Sequence, residues 1–332
     1  MHYKDTDFLH ASARVTYLEN QLITRDDLLK AADAENSSEA FRLLSGKNLF
    51  RDHGIDDYEK AFEESLSETY SLIEEITGDM GITHIFRYPV DGHNLKVMIK
   101  DKAADGDYSG LYKSGGTVDI SVMRAEMDAG EFGQLPETLG QAGLEAKDAL
   151  AKTGNPQTVD LMIDKAVISL MNEKAETIDS EALSEYVKAK IDLMNIKSAL
   201  RLLKMKKDTH NASKAFAEGG SFSVRELEEA YAFGFDGIKA LTEKTAQSER
   251  IPEAVAQIKQ GSSIGVFEQQ ADGCFRDLFE KARIIPFGIE PVIAFLYLKE
   301  QEVRACRLVL VSKLFDIPKD IITERLRCIY AD

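Results

Sequence analysis

The stretch EVRACRLVL, residues 302–310, places Glu302, Arg304 and Arg307 inside an apolar run near the C-terminus. Two other stretches share its pattern: DGHNLKVMI at 91–99 and DLMNIKSAL at 192–200. Each has an acid first (Asp91, Asp192, Glu302), Asn94 and Asn195 fourth with Ala305 in the third copy, an apolar fifth residue, then Lys96, Lys197 or Arg307. On a helix turning ~100° per residue, the acid, the amide and the apolar residues share one side. An acid and an amide beside a core must be hydrogen-bonded, or they cost about 1–3 kcal/mol each. The expected partner is a neighbouring helix N-terminus, whose unpaired N–H groups and dipole favour a carboxylate. The cation at the sixth place turns to the flank, where it can pair across an interface. The pattern therefore predicts a structural clasp used three times. A catalytic carboxylate would not need three copies at repeat spacing.

A second element recurs upstream. Thr24, Asp119 and Ser223 are candidate N-caps with Leu28, Met123 and Leu227 four residues on, and Ser223 to Glu226 spells a full capping box. GGTVDI (115–120) and GGSFSV (219–224) match around two of these caps, and the glycine pairs read as loops. Order and approximate spacing persist, which predicts one helical unit in triplicate, at 1–111, 112–216 and 217–332. Helical spacing runs through most of the chain: Phe62, Leu66, Tyr70, Ile73 and Ile76 form one stripe, Val159, Ile163, Ala166 and Leu170 another, Phe267, Ala271, Cys274 and Leu278 a third. The expected fold class is all-α.

Composition narrows the function. A formal net charge of −16 argues against free nucleic acid as a partner. That charge is uneven: residues 1–111 hold twelve bases against twenty-two acids, residues 275–332 ten against nine. The longest apolar run, FGIEPVIAFLYL (287–298), carries a glutamate and falls short of the ~20 residues of a membrane span. No signal-like segment opens the sequence, and an intracellular protein is expected. Three cysteines, Cys274, Cys306 and Cys328, with no C-x-x-C pair, read as reduced, buried thiols.

Signatures of chemistry are missing. The sequence has neither phosphate-loop glycine motif, no H-E-x-x-H and no G-x-S-x-G. His2, His10, His53, His84, His93 and His210 form no spaced ligand set; His84 and His93 are the pair with a chance of meeting. Adjacent acids such as Glu63-Glu64 and Glu228-Glu229 read as solvated helix faces. No catalytic residue, cofactor or metal is expected.

Three stretches resemble the C subunit of bacterial and archaeal V/A-type rotary ATPases, counterpart of the d subunit of eukaryotic vacuolar pumps. ARVTYLENQLITRDDLLKAAD (13–33) is similar to that family's opening, and FRYPVDGHNLKVMIK (86–100) to its first-repeat motif. The most specific is 284–327, which contains Pro286, Gly288, Glu290, Pro291, Glu302, Arg304 and Arg307. Ala305 departs from the Asn of the other copies. The resemblance implies a non-catalytic subunit: a funnel of three helical units about a pseudo-threefold axis, joining the central shaft of the ATP-hydrolysing head to the membrane rotor ring. It implies a cytoplasmic protein, peripheral to the membrane. Partner contacts are expected on irregular segments, Arg87, Tyr88 and Pro89 in the first repeat and Phe287, Gly288, Glu290 and Pro291 in the third. The alternative for these residues is that they merely turn the chain. The alternatives for the whole are a freestanding helical scaffold for another protein, or an enzyme built on acidic pairs.

Overall fold

The computed structural model describes residues 4–47, 49–51, 53–78, 81–104, 108–207, 209–244, 250–271 and 273–329, with the side chains of 5, 102–104, 109, 209–211, 277 and 327–329 left out. His2 and the side chains of His210 and Cys328 lie outside the described residues. Among those described, the chain is all-helical, with no strand. The helices are α1 (Leu9–Glu19), α2 (Arg25–Asp33), α3 (Ser37–Leu44), α4 (Tyr58–Thr77), α5 (Gly81–Ala104) and α6 (Ile120–Ala129). They continue with α7 (Glu137–Thr153), α8 (Pro156–Glu176), α9 (Glu181–Lys204), α10 (Thr209–Ala215), α11 (Val224–Ala232) and α12 (Gly234–Thr242). The last are α13 (Arg250–Lys259), α14 (Gly265–Ala271), α15 (Arg276–Arg283), α16 (Glu290–Leu314) and α17 (Lys319–Ile329). The acid-Asn-cation motif sits on α5, α9 and α16, the three longest helices at 24, 24 and 25 residues.

Packing divides the chain into two compact units, one of residues 84–271 and one of residues 2–83 with 272–332. In the first, α7 packs on α8 and α8 on α9. Gly92 of α5 faces Val167 of α8 so closely that a Cβ would overlap the valine Cγ2. Val159, Ile163, Ala166 and Leu170 are buried along α8, as their spacing predicts. Phe86 stacks on Tyr186, with ring centroids 5.8 Å apart.

The second unit buries Leu28 of α2, Leu44 of α3, Phe62 of α4, Val303, Cys306 and Val309 of α16, and Ile322 of α17 in one cluster. Phe41, Phe50 and Phe62 follow one another at centroid spacings of 4.8 and 5.4 Å. Phe62, Tyr70 and Ile73 carry the α4 stripe inward. Complete burial pushes the Cys306 thiol well above its ordinary pKa, so it is an inert core group, while Cys274 is only half-buried.

Two expectations need correction. The stripe through Phe267, Ala271, Cys274 and Leu278 is not one helix: α14 stops at Ala271, Gly273 follows, and α15 starts at Arg276. Glycine is the poorest helix former after proline, and it wins over an apolar periodicity of only four residues. Arg87, Tyr88 and Pro89 are not irregular either. They lie within α5, which continues through Pro89 although that residue has no N–H to donate. Nor are Glu290 and Pro291, which open α16 because a proline is tolerated in a first helical turn that needs no N–H from it.

Gly92→Ala is expected to lower the melting temperature, because overpacking of about 1–3 kcal/mol exceeds the ~1 kcal/mol gained in helix propensity. Adding Val167→Ala, which clears the overlapped methyl, should raise it above the single Gly92→Ala variant. Thermal melts of the two variants check this.

Candidate functional site

The three motif acids are buried, and each accepts hydrogen bonds from backbone just ahead of a helix cap. Asp91 Oδ2 accepts from the Thr117 N–H at 3.1 Å and the Thr117 hydroxyl at 2.6 Å, and Oδ1 accepts from the Val118 N–H at 3.3 Å. Asp192 Oδ1 accepts from the Ser221 N–H at 2.8 Å. Glu302 Oε1 accepts from the Ile23 N–H at 2.7 Å. These donors stand one or two residues before Asp119, Ser223 and Thr24, which are N-caps as their sequence predicts. The expected partner was the first turn itself, but the cap side chains already fill that role. Thr24 accepts from the Asp27 N–H, Asp119 from the Ser121 N–H and Ser223 from the Glu226 N–H. The motif acids thus order the approach to each helix, and the caps order its start.

Burial sets the electrostatics. It raises the carboxyl pKa of Asp91, partly offset by the Thr117 and Val118 hydrogen bonds. It also raises that of Asp192, partly offset by hydrogen bonds from Ser221 and Phe222. Glu302 differs, because its Oε2 accepts from Lys299 Nζ at 2.6 Å, with side chains only 2% and 11% exposed. Nothing in the shared motif announced Lys299; the signal available was a second charge one turn before Glu302 in the same apolar run.

The glycine pairs have specific roles beyond those of loops. Gly115 and Gly219 have φ of 88° and 95°, a region L-side chains rarely enter. At Gly116 and Gly220 a Cβ would overlap Asp91 Oδ1 and Asp192 Oδ1. So the first glycine of each pair turns the backbone and the second admits the carboxylate.

The amides make a second tie. Asn94 donates to the Lys113 carbonyl at 2.8 Å and accepts from its N–H at 2.9 Å. Asn195 does the same with Ala217, at 2.9 and 2.8 Å. Both backbone partners stand six residues before a cap. The matching position in the third copy is Leu18, in the last turn of α1, where its carbonyl accepts from the Gln21 N–H. Its backbone is committed to the helix, and an Asn at 305 would find no edge to pair with. Ala305 follows from that.

The sixth-place cations reach carboxylates on other helices. Lys96 of α5 pairs with Asp164 of α8 at 2.6 Å, Lys197 of α9 with Glu268 of α14 at 3.3 Å, and Arg307 of α16 with Glu59 of α4 through two nitrogens at 2.9 Å. Arg307 also lies over the Phe62 ring, 5.2 Å from its centroid. Arg304 points outward, as an exposed residue.

The other candidates divide. Arg87 donates to the carbonyls of Gly115 and Gly116, at 3.2 and 2.6 Å, and so steadies the same glycine turn; Tyr88 is buried and Pro89 exposed. Ahead of α16, Phe287 is 45% exposed beside Ile284 at 80%. Gly288 and Pro291 are buried and Glu290 is half-buried. The Gly288 carbonyl accepts from the Ser12 hydroxyl at 3.0 Å, a tie the sequence did not reveal. His84 and His93 sit nine residues apart on α5, about 13 Å along the axis. His93 instead bonds the Leu111 carbonyl at 2.8 Å. Among the described residues no group of three or more His, Cys, Asp or Glu is arranged to hold a metal.

The sequence model of the ATP synthase (C/AC39) subunit family matches residues 11–325. The C subunit of the V-type sodium ATPase of Enterococcus hirae is 21% identical, over 94% of this chain and 95% of its own. The C subunit of the A-type ATP synthase of Methanothermobacter thermautotrophicus is 26% identical, over 92% and 84%. The Methanocaldococcus jannaschii protein of the same name is 25% identical, over 79% and 70%.

Glu302→Gln should destabilise the protein by about 3–5 kcal/mol, because it strands a buried ammonium. Lys299→Met added to it should recover most of that loss, since Gln can still accept from Ile23; chemical denaturation of both variants decides. Asp192 has a folded pKa above its unfolded one, so its contribution is complete below the ordinary carboxylate range and is lost as pH rises through the folded value. Relative to wild type, Asp192→Asn should therefore gain melting temperature from pH 4 toward pH 7; a constant offset would contradict this.

Proposed function

The chain belongs to the ATP synthase (C/AC39) subunit family, non-catalytic subunits of V/A-type ATPases, and from that premise we propose that it is the central-stalk connector of such a complex. Its partners are other subunits of the assembly. In this reading it joins the rotor shaft of the ATP-hydrolysing head to the membrane rotor ring and passes torque between them. It works in the cytoplasm, peripheral to the membrane, as three helical repeats about a pseudo-threefold axis. No described helix is long and apolar enough to cross a membrane.

One observation carries the proposal. The acid of the first repeat holds the approach to the second repeat's cap, the second holds the third's, and the third holds the first's. The sixth-place ion pairs run in the same order, from first repeat to second, second to third and third to first. Each repeat gives one clasp and receives one, the relation that three equivalent positions about an axis require. Torque transfer asks for such doubly pinned helices and for no reacting group.

The partner-facing surfaces follow the same reading. The stretch at 284–287, where Ile284 and Phe287 are exposed, is the apolar contact of the third repeat, with Glu290 at its edge. Pro89 marks the contact face of the first repeat, beside the committed Arg87 and Tyr88. The acid-rich residues 1–111 meet a basic shaft foot.

Co-purification with shaft and ring subunits tests the connector. The chain should retain both, and Phe287→Asp should release one of them without lowering the melting temperature. Failure to join either partner in an otherwise competent pump would point to a freestanding scaffold. Shaft binding should weaken between low and physiological ionic strength, because exposed charges are screened over ~10 Å. Salt-independent binding would contradict the contact proposed for the acid-rich residues.

A further inference from the structure

A cleft of about 910 Å³ opens within residues 84–271, between the C-terminal half of α5 and the hairpin of α7 and α8. Its volume falls among small-molecule clefts, about 300–1,000 Å³. Val97, Ile99 and Leu150 form its apolar floor. Two further large side chains that line it, Leu111 and Tyr108, remain 54% and 40% exposed. An apolar occupant would remove that surface from water, which is favourable in proportion to the area covered.

The polar rim has the opposite sign from the rest of the chain. Lys96, Lys100 and Lys147 line the cleft against one acid, Asp160, in a protein of net charge −16. Lys96 and Lys100 each pair with a single aspartate, at 2.6 Å, and keep 22% and 34% of their side chains exposed. Lys147 is exposed on α7. The 21-residue α8 begins at the cleft with Pro156, so its positive dipole end adds to the lysines.

We propose that this cleft binds a free single-chain amphiphilic carboxylate of the fatty-acid class, with the acyl chain on the Val97–Leu150 floor and the carboxylate at Lys147 and Lys100. An apolar trough with a cationic rim complements that ligand in shape and sign. It disfavours a cationic amphiphile of equal chain length.

Calorimetric titration of the full chain with dodecanoate below its micellar concentration tests this. One equivalent should bind, and dodecyltrimethylammonium should bind at least tenfold more weakly. Lys147→Glu, an exposed substitution, should weaken dodecanoate at least fivefold while leaving the melting temperature unchanged. Val97→Trp, which fills the trough, should abolish binding. Absence of binding, equal affinity for the two head groups, or indifference to both substitutions would overturn the proposal. So would binding of the chain to anionic diacyl vesicles that dodecanoate cannot compete away, or shielding of Lys147 from acetylation by the other ATPase subunits but never by dodecanoate.

Discussion

A carboxylate removed from water persists in a core only where donors replace the solvent. Here the donors are backbone amides one or two residues ahead of a helix cap, and the placing of each motif helix depends on that contact. Asp91, Asp192 and Glu302 each fix a long helix against the entry to a short one. Five places on in each motif, Lys96, Lys197 and Arg307 pin the same long helix to a different neighbour. One pin alone would let a helix turn about it. Two pins on different partners fix both its rotation and its axial position, which suits a part whose proposed task is mechanical.

The third copy solves the same problem with other means. Its approach segment is helical through Glu19, which commits the Leu18 backbone, and Asn20 and Gln21 stand where the other copies have a glycine pair. Glu replaces Asp, Lys299 takes the second carboxylate oxygen, and the amide is gone. Further ties join the segments of this region: Ser12 to Gly288, Tyr70 to Glu300, and Lys313 to the Ala34 carbonyl. They link residues far apart in the chain, where the first two copies rely on ties between segments close in sequence.

The all-α class, the caps and the flank cations were legible because each depends on local spacing. Thr24, Asp119 and Ser223 stand where a polar residue precedes a helical apolar pattern, and Lys96 sits off the buried side by simple rotation about the helix. The clasp donors were only half legible. The acids had to find N–H groups, but which ones depends on a tertiary approach that no periodicity encodes. Gly116 and Gly220 looked like loop residues because their function is an absent Cβ facing a side chain more than twenty residues away. The failed stripe at 267–278 shows the reverse error, where four well-spaced apolar residues hid a Gly273 break. Pro89 misled in another way: a proline inside α5 reads as a boundary in sequence, yet the helix runs on through it.

The overlap that a Cβ would make at Gly116 and Gly220 means that arm length and backbone clearance vary together. A short carboxylate arm needs a bare backbone opposite it; the longer arm of Glu302 spans to a strip that carries side chains. Exchanging a motif helix between repeats would therefore carry the wrong arm to the wrong strip unless the facing turn travelled with it. The helix and the turn it grips are one module, although the unit bounds expected from motif spacing would separate them.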